Sequence, residues 1–185
     1  MTVDCEHALD LRGQVHSKPG LTVVTGGQTG VDTMAATAAL RAGLNVHIVF
    51  PRGFRQEDGE LSPDRRRQFD GAVLHELPSN RFEDRTWTCA YVADAVLLLD
   101  PAGGSGCRET ARAARELGRP LCSHGRGPVD TDVLGPWLDK FRPRVLMVAG
   151  CRASLLASSG ASRQVAMDIE AIMAAARTYS DGIVG

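Results

Sequence analysis

At 185 residues the chain fits one domain of ordinary size, at about 100–200 residues per domain, and its 43% hydrophobic and 23% charged residues exclude a disordered chain. The 21 Lys and Arg nearly balance the 22 Asp and Glu, for a formal net charge of −1, which speaks against a dedicated nucleic-acid binder. Apolar runs such as those at 95–99 and 145–149 fall far short of the roughly 20 residues that span a bilayer.

Residues 1–20 are polar and mixed, ending in Lys18-Pro19-Gly20, and are expected to form a loosely held lead-in to a single domain over 21–185. Residues 21–25 make a short β-branched strand stopped by Gly26-Gly27. Residues 31–42, rich in Ala, Leu and Met, predict a buried helix that Gly43 ends. A second strand is predicted at 45–50, closed by Pro51, and residues 52–68 form a charged excursion within which Asp64-Arg65-Arg66-Arg67 is expected to be a solvated helical turn.

A helix follows at 84–92, then a strand at 95–100 that is apolar throughout, as expected of a strand buried on both faces. The run Pro101-Ala102-Gly103-Gly104-Ser105-Gly106 leads to a helix at about 108–117. Further along are a short strand at 121–122, a helix at 132–141, a strand at 144–149 and an amphipathic helix at 163–176. The Ser/Ala/Gly stretch at 153–162 is the one hint of low complexity. Short apolar strands alternating with helices imply βαβ units, an α/β fold in three layers around a mostly parallel sheet. Such sheets bind ligands beyond the carboxyl ends of their strands, so the chemistry is sought in the loops that follow them.

The first of these loops is Gly26-Gly27-Gln28-Thr29-Gly30-Val31-Asp32. Its glycines permit close backbone approach to an anion, and the helix start supplies unpaired N–H groups. Thr29 is placed to donate to a phosphate or to cap the helix, and Asp32 to accept from a sugar hydroxyl. Gly27→Val is then expected to block the phosphate while sparing the fold. The second is Gly104-Ser105-Gly106-Cys107-Arg108-Glu109-Thr110, another glycine loop opening a helix. Arg108 is within reach of a phosphate there, and Cys107, at the helix start, is expected to have a lowered thiol pKa. Glu109 and Arg112 have the spacing of a surface helix pair.

In the excursion, Arg52 and Arg55 have the chemistry to clamp an anion, beside Gly53, and Glu57 or Asp58 to hold a ribose or act as acid or base. The five cysteines lack a CxxC pair and the five histidines an HExxH, which excludes a disulfide scaffold or zinc knuckle and leaves no metal site expected. The N-terminus lacks the pattern of a signal peptide, so a cytoplasmic protein is expected.

Taken together, the run 25–32, Pro51-Arg52-Gly53, Glu57-Asp58-Gly59, Arg85-Thr86-Trp87 and Val148-Ala149-Gly150 resemble the molybdenum cofactor carrier proteins. Those belong to the circularly permuted YpsA-like branch of the SLOG superfamily. The resemblance implies a Rossmann-like fold, a nucleotide or phosphorylated-pterin ligand, possession of Arg85 and Thr86 as site residues, and a homo-oligomer, dimer or tetramer. The sequence departs from it where Arg52 stands for a common Lys, Cys107 for a usual Thr, Cys151 for a usual Pro and Ala153 for a usual Glu. Three functions are consistent with these residues. The first is a carrier for a phosphorylated nucleotide-like ligand, such as the molybdenum cofactor. The second is an N-glycosidase of nucleoside monophosphates, as in the related LOG phosphoribohydrolases, with Asp32, Glu57 and Glu109 as its carboxylates. The third is a nucleotide-sensing regulator.

Overall fold

Uninterrupted apolar runs become the interior strands, and glycine-marked turns deliver each one to a helix. The computed structural model describes residues 5–184. In chain order these form α1 (Cys5–Val15), β1 (Thr22–Thr25), α2 (Val31–Arg41), β2 (Asn45–Phe50) and a small hairpin of β3 (Arg55–Gln56) and β4 (Gly59–Glu60). Next come α3 (Pro63–Arg66) with a 3-10 turn over Arg67–Phe69, β5 (Val73–Glu76), α4 (Phe82–Val92), β6 (Ala95–Leu99) and α5 (Ser105–Glu116). The chain continues through β7 (Leu121–His124), α6 (Thr131–Phe141), β8 (Val145–Gly150), α7 (Ala153–Ser159) and α8 (Ser162–Val184).

Six strands form one sheet in the order β5-β2-β1-β8-β6-β7, every neighbouring pair parallel. Strands β1 and β6 are buried at every residue, as central parallel strands covered on both faces must be. The helices pack in two groups, α1 with α4 and α5, and α2 with α6 and α7 through α8. The result is the expected three-layer, Rossmann-like α/β arrangement. From β1 the chain steps outward through β2 to β5, crosses to β6 and β7, and returns in β8 to the place between β1 and β6. That reversal puts the ends of β1, β8 and β6 side by side at the switch point where open α/β sheets bind ligands.

Four local differences from the sequence expectation have physical causes. Part of the lead-in is helix α1, with Ala8, Leu11 and Val15 buried at helical spacing, while Arg12 and His16 donate to the Tyr91 and Val92 carbonyls at 2.6 and 3.1 Å. Residues 1–4 lie outside the described residues. Strand β5, an unforeseen edge strand, is only half-buried and so lacks an apolar run. The Ser/Ala/Gly stretch contains helix α7, anchored by buried Leu156. Finally, α5 begins at Ser105, three residues before the expected start, which draws the second glycine loop into the helix's first turn.

His47 on β2 and His75 on β5 stack with centroids 5.1 Å apart, and His47 Nδ1 lies 2.9 Å from His75 Nε2. Burial, followed by the charges of His75 and Lys18, pushes the His47 pKa from 6.5 down to about 4. Between those values the unfolded chain binds a proton that the native state refuses. Stability therefore falls as pH drops through this window and is insensitive to His47 above it. His47→Asn is expected to flatten that slope by on the order of 2 kcal/mol across the window, measured by urea denaturation between pH 7.5 and 4.

Candidate functional site

A cleft of about 520 Å³ opens at the carboxyl ends of β1, β6 and β8. The β1–α2 loop, the β3–β4 hairpin, the start of α4, the first turn of α5 and the residues after β8 form its walls. Of the residues expected from the sequence, Gln28, Asp32, Glu57, Arg85 and Thr86 line it, together with Gly104, Ser105, Gly106, Cys107, Glu109 and Thr110.

The first glycine loop is satisfied from within the protein. Gly27 N–H donates to Thr25 Oγ1 (3.2 Å), Gln28 N–H to Asp32 Oδ2 (3.2 Å), Thr29 N–H to Gln28 Oε1 (3.0 Å) and Val31 N–H to the Cys151 carbonyl (3.0 Å). Its glycines meet protein atoms. A Cβ on Gly26 would lie 1.3 Å from Arg85 Nη1, and one on Gly30, at φ 85°, would lie 2.5 Å from the Cys151 carbonyl oxygen. Gly27, at φ 66°, faces the Phe50 ring so closely that a Cβ there would lie 2.4 Å from Phe50 Cε1. Gly27→Val therefore collides with the core, contrary to the expectation that it spares the fold. The α2 N-cap is Gly30, without a side-chain cap; Thr29 Oγ1 instead donates to Glu57 Oε1 at 2.5 Å.

Asp32, expected at a ribose, is 4% exposed and pairs with Arg85 Nη1 at 2.8 Å. Burial pushes its carboxyl above the ordinary range, and the Arg85 charge works against that. Glu57 accepts from Thr29, from Ser154 N–H (3.1 Å) and Ser154 Oγ (2.6 Å), and has Arg152 Nε at 3.3 Å. Burial tends to raise its pKa, but the Ser154 and Thr29 hydrogen bonds and Arg152 bring it below the usual glutamate value. Glu109 accepts from Trp87 Nε1 at 2.6 Å and Arg112 Nη2 at 2.7 Å. All three proposed carboxylates are thus already engaged.

Several expected residues lie off the cleft wall. Arg52 is exposed, its N–H on the Ser79 carbonyl at 2.8 Å, and Gly53 N–H donates to Glu76 at 2.6 Å. Asp58 pairs with Arg65 at 2.9 Å, and Arg108 turns back to the Gly103 carbonyl at 2.9 Å. Thr86 and Thr110 do line the cleft, but their hydroxyls donate to helix carbonyls four residues earlier, those of Phe82 and Gly106.

The second loop is open where the first is closed. Asp100 Oδ1 accepts from Gly103 N–H (2.8 Å) and Gly104 N–H (3.2 Å), and Gly104 is the N-cap of α5 with no side-chain cap. The first-turn amides from Ser105 onward, with the positive end of the helix dipole, therefore face the cleft in position for an anion. Cys107 approaches Cys151, Sγ to Sγ, at 3.7 Å, and Cys151 Sγ donates to Asp100 Oδ1 at 3.2 Å. The contact with Cys151 and burial push the Cys107 thiol up, the reverse of the lowering expected at a helix start.

Residues outside the predicted set complete the wall, among them Gln56, Phe82, Glu83 and Arg152, joined by Arg55 from the excursion. Gln56 is 3% exposed and donates to the Gly27 carbonyl at 2.6 Å. Its Oε1 and Arg85 Nε are buried without a hydrogen-bond partner among the described residues, a costly condition. A buried Gln in so charged a segment was the available signal, but it is visible only once the hairpin folds back.

The sequence matches the model of the circularly permutated YpsA SLOG family over residues 23–172, most of the chain. Among solved structures it is similar to a candidate molybdenum carrier protein from Syntrophus aciditrophicus SB, with a TM-score of 0.69 and 21% identity over 84% of this chain and 96% of that one. That likeness is one of fold. A comparison with curated proteins finds no significant match. No helix among the described residues is long and apolar enough to cross a membrane.

The buried Asp32–Arg85 pair is expected to be structural. Arg85→Met strands a buried carboxylate and should cost about 3–5 kcal/mol, and adding Asp32→Asn should recover part of that loss. Urea denaturation of the four proteins checks this, and simple additivity would show that the two groups do not act as a pair.

Proposed function

The chain belongs to the circularly permutated YpsA SLOG family, and from that premise we propose that its cleft binds a phosphorylated, nucleotide-like ligand and holds it without turning it over. The observation that carries this reading is the uncapped first turn of α5, whose amides open onto the cleft beside two unpartnered buried polar atoms. A phosphate there gains charge-assisted N–H bonds and the helix dipole, the latter contributing up to about 2 kcal/mol in a partly buried setting. Arg55 and Arg152 add positive charge at the wall, and Phe82 offers an aromatic surface to a flat ring. The molybdenum cofactor, the cargo implied by the resemblance, has this chemistry, and the description of the Syntrophus relative as a candidate molybdenum carrier supports that side of the reading. A homo-oligomer working in the cytoplasm, without nucleic-acid partners, belongs to the same proposal.

The carboxylates weigh against hydrolysis. An N-glycosidase needs a carboxylate free to stabilise an oxocarbenium-like transition state and a route to protonate the base. Asp32, Glu57 and Glu109 are each spent on protein donors. A regulator would use the same cleft, so binding without turnover is the property common to both non-enzymatic readings.

Gly106 provides a clean test, because among the described residues, its own stretch of helix backbone and chain neighbours aside, no atom lies within 4 Å of a Cβ placed there. Gly106→Asp sets a competing carboxylate at the α5 N-terminus and is expected to weaken nucleoside 5′-monophosphate binding by roughly tenfold or more, while stability is kept or slightly raised. Calorimetry reads the affinity, and mass spectrometry of the same mixture reads the products. Free base with ribose 5-phosphate would overturn the binding reading in favour of the glycosidase.

A further inference from the structure

We propose that Asp100, Cys107 and Cys151 form a site for one soft divalent cation of the zinc class, set in the floor of the cleft with its fourth coordination position open to that cleft. The three residues are distant in sequence and come from three elements: Asp100 follows β6, Cys107 lies in the first turn of α5, and Cys151 follows β8. The parallel pairing of β6 with β8 brings them together, and the Cys151 N–H donates to the Leu99 carbonyl at 3.1 Å, which fixes the approach. One ligand atom from each lies within 4.8 Å of the other two.

The spacing suits a metal better than a disulfide. Bonds of about 2.3 Å to sulfur and 2.0–2.2 Å to oxygen, at tetrahedral angles, place two sulfurs about 3.8 Å apart and a sulfur and an oxygen about 3.5 Å apart. Here the sulfurs are 3.7 Å apart, and Cys151 Sγ is 3.2 Å from Asp100 Oδ1. A disulfide would instead require the sulfurs to close to about 2.05 Å. The Gly103 and Gly104 amides already orient the Asp100 carboxylate, as outer-shell donors do in metal sites.

The donor set also selects the ion. Two thiolates and one carboxylate favour zinc-like ions over magnesium or calcium, which take all-oxygen shells. On binding, each thiol gives its proton to solvent as its metal–sulfur bond forms, with no change in oxidation state. The complex carries one net negative charge, beside the positive end of α5. Cys107 and Cys151 both line the cleft, so water or a donor atom of an incoming molecule takes the fourth position, the arrangement of reactive rather than closed structural sites.

The test is cobalt(II) titration of the reduced protein with no other ligand present. One cobalt per chain is expected, with near-ultraviolet sulfur-to-cobalt charge-transfer absorption that equimolar zinc abolishes. Cys107→Ser and Cys151→Ser should each diminish that absorption, and Asp100→Asn should keep it while weakening cobalt affinity by roughly tenfold or more. Far-ultraviolet circular dichroism establishes that each variant is folded, and the wild-type titration stands whatever the variants do. Absence of the absorption in folded, reduced wild-type protein would overturn the proposal. So would its full survival in both cysteine variants, which would place the cobalt on another of the five cysteines, Cys5, Cys89 or Cys122.

Discussion

The ion pair between Asp32 and Arg85 is the constraint around which the cleft is built. Both side chains are nearly out of water, at 5% and 9% exposure, and charges removed from water are tolerated only when each meets the other in good geometry. To reach Asp32, the guanidinium crosses the face of Gly26, where any side chain would overlap it. Asp32 in turn accepts the Gln28 amide, which shapes the loop between β1 and α2. One electrostatic requirement thus dictates a glycine, a loop conformation and the position of α4 against the sheet. It also removes from chemistry the carboxylate that sequence alone would send to a sugar.

The strands and helices that carry the cleft were legible because burial writes itself into composition. Residues 95–99 are apolar throughout and become the fully buried β6, and the strand at 45–50 was placed at its observed bounds. What escaped was structure held by partners rather than by its own pattern. The half-exposed β5 has no apolar run, and α1 hides three buried residues among polar ones. The loops were located correctly, but the reasons for their glycines were not, since a glycine that admits a phosphate and one that admits Arg85 or Phe50 look identical in a sequence. Nor does the sequence show that Cys107 and Cys151, 44 residues apart, are the places where two departures from the carrier-protein pattern meet at one point.

Topology explains why the two glycine loops diverge in character. In an open α/β sheet, the loop after the first strand ordinarily presents its helix N-terminus to a ligand. Here β8 is inserted between β1 and β6, which carries the start of α7 across that loop. The Cys151 carbonyl takes the Val31 amide, the Thr29 hydroxyl receives the Ala153 amide at 3.4 Å, and Glu57 reaches from the hairpin to the Ser154 amide. The α7 segment and the hairpin therefore occupy the first loop's surroundings. The first turn of α5, two strands along the same edge, has no such neighbour capping it among the described residues and inherits the open position. Inserting the last strand in the middle of the sheet thus moves the anion-ready helix end from β1 to β6, and the first loop becomes a rigid wall for the cleft that the second loop opens.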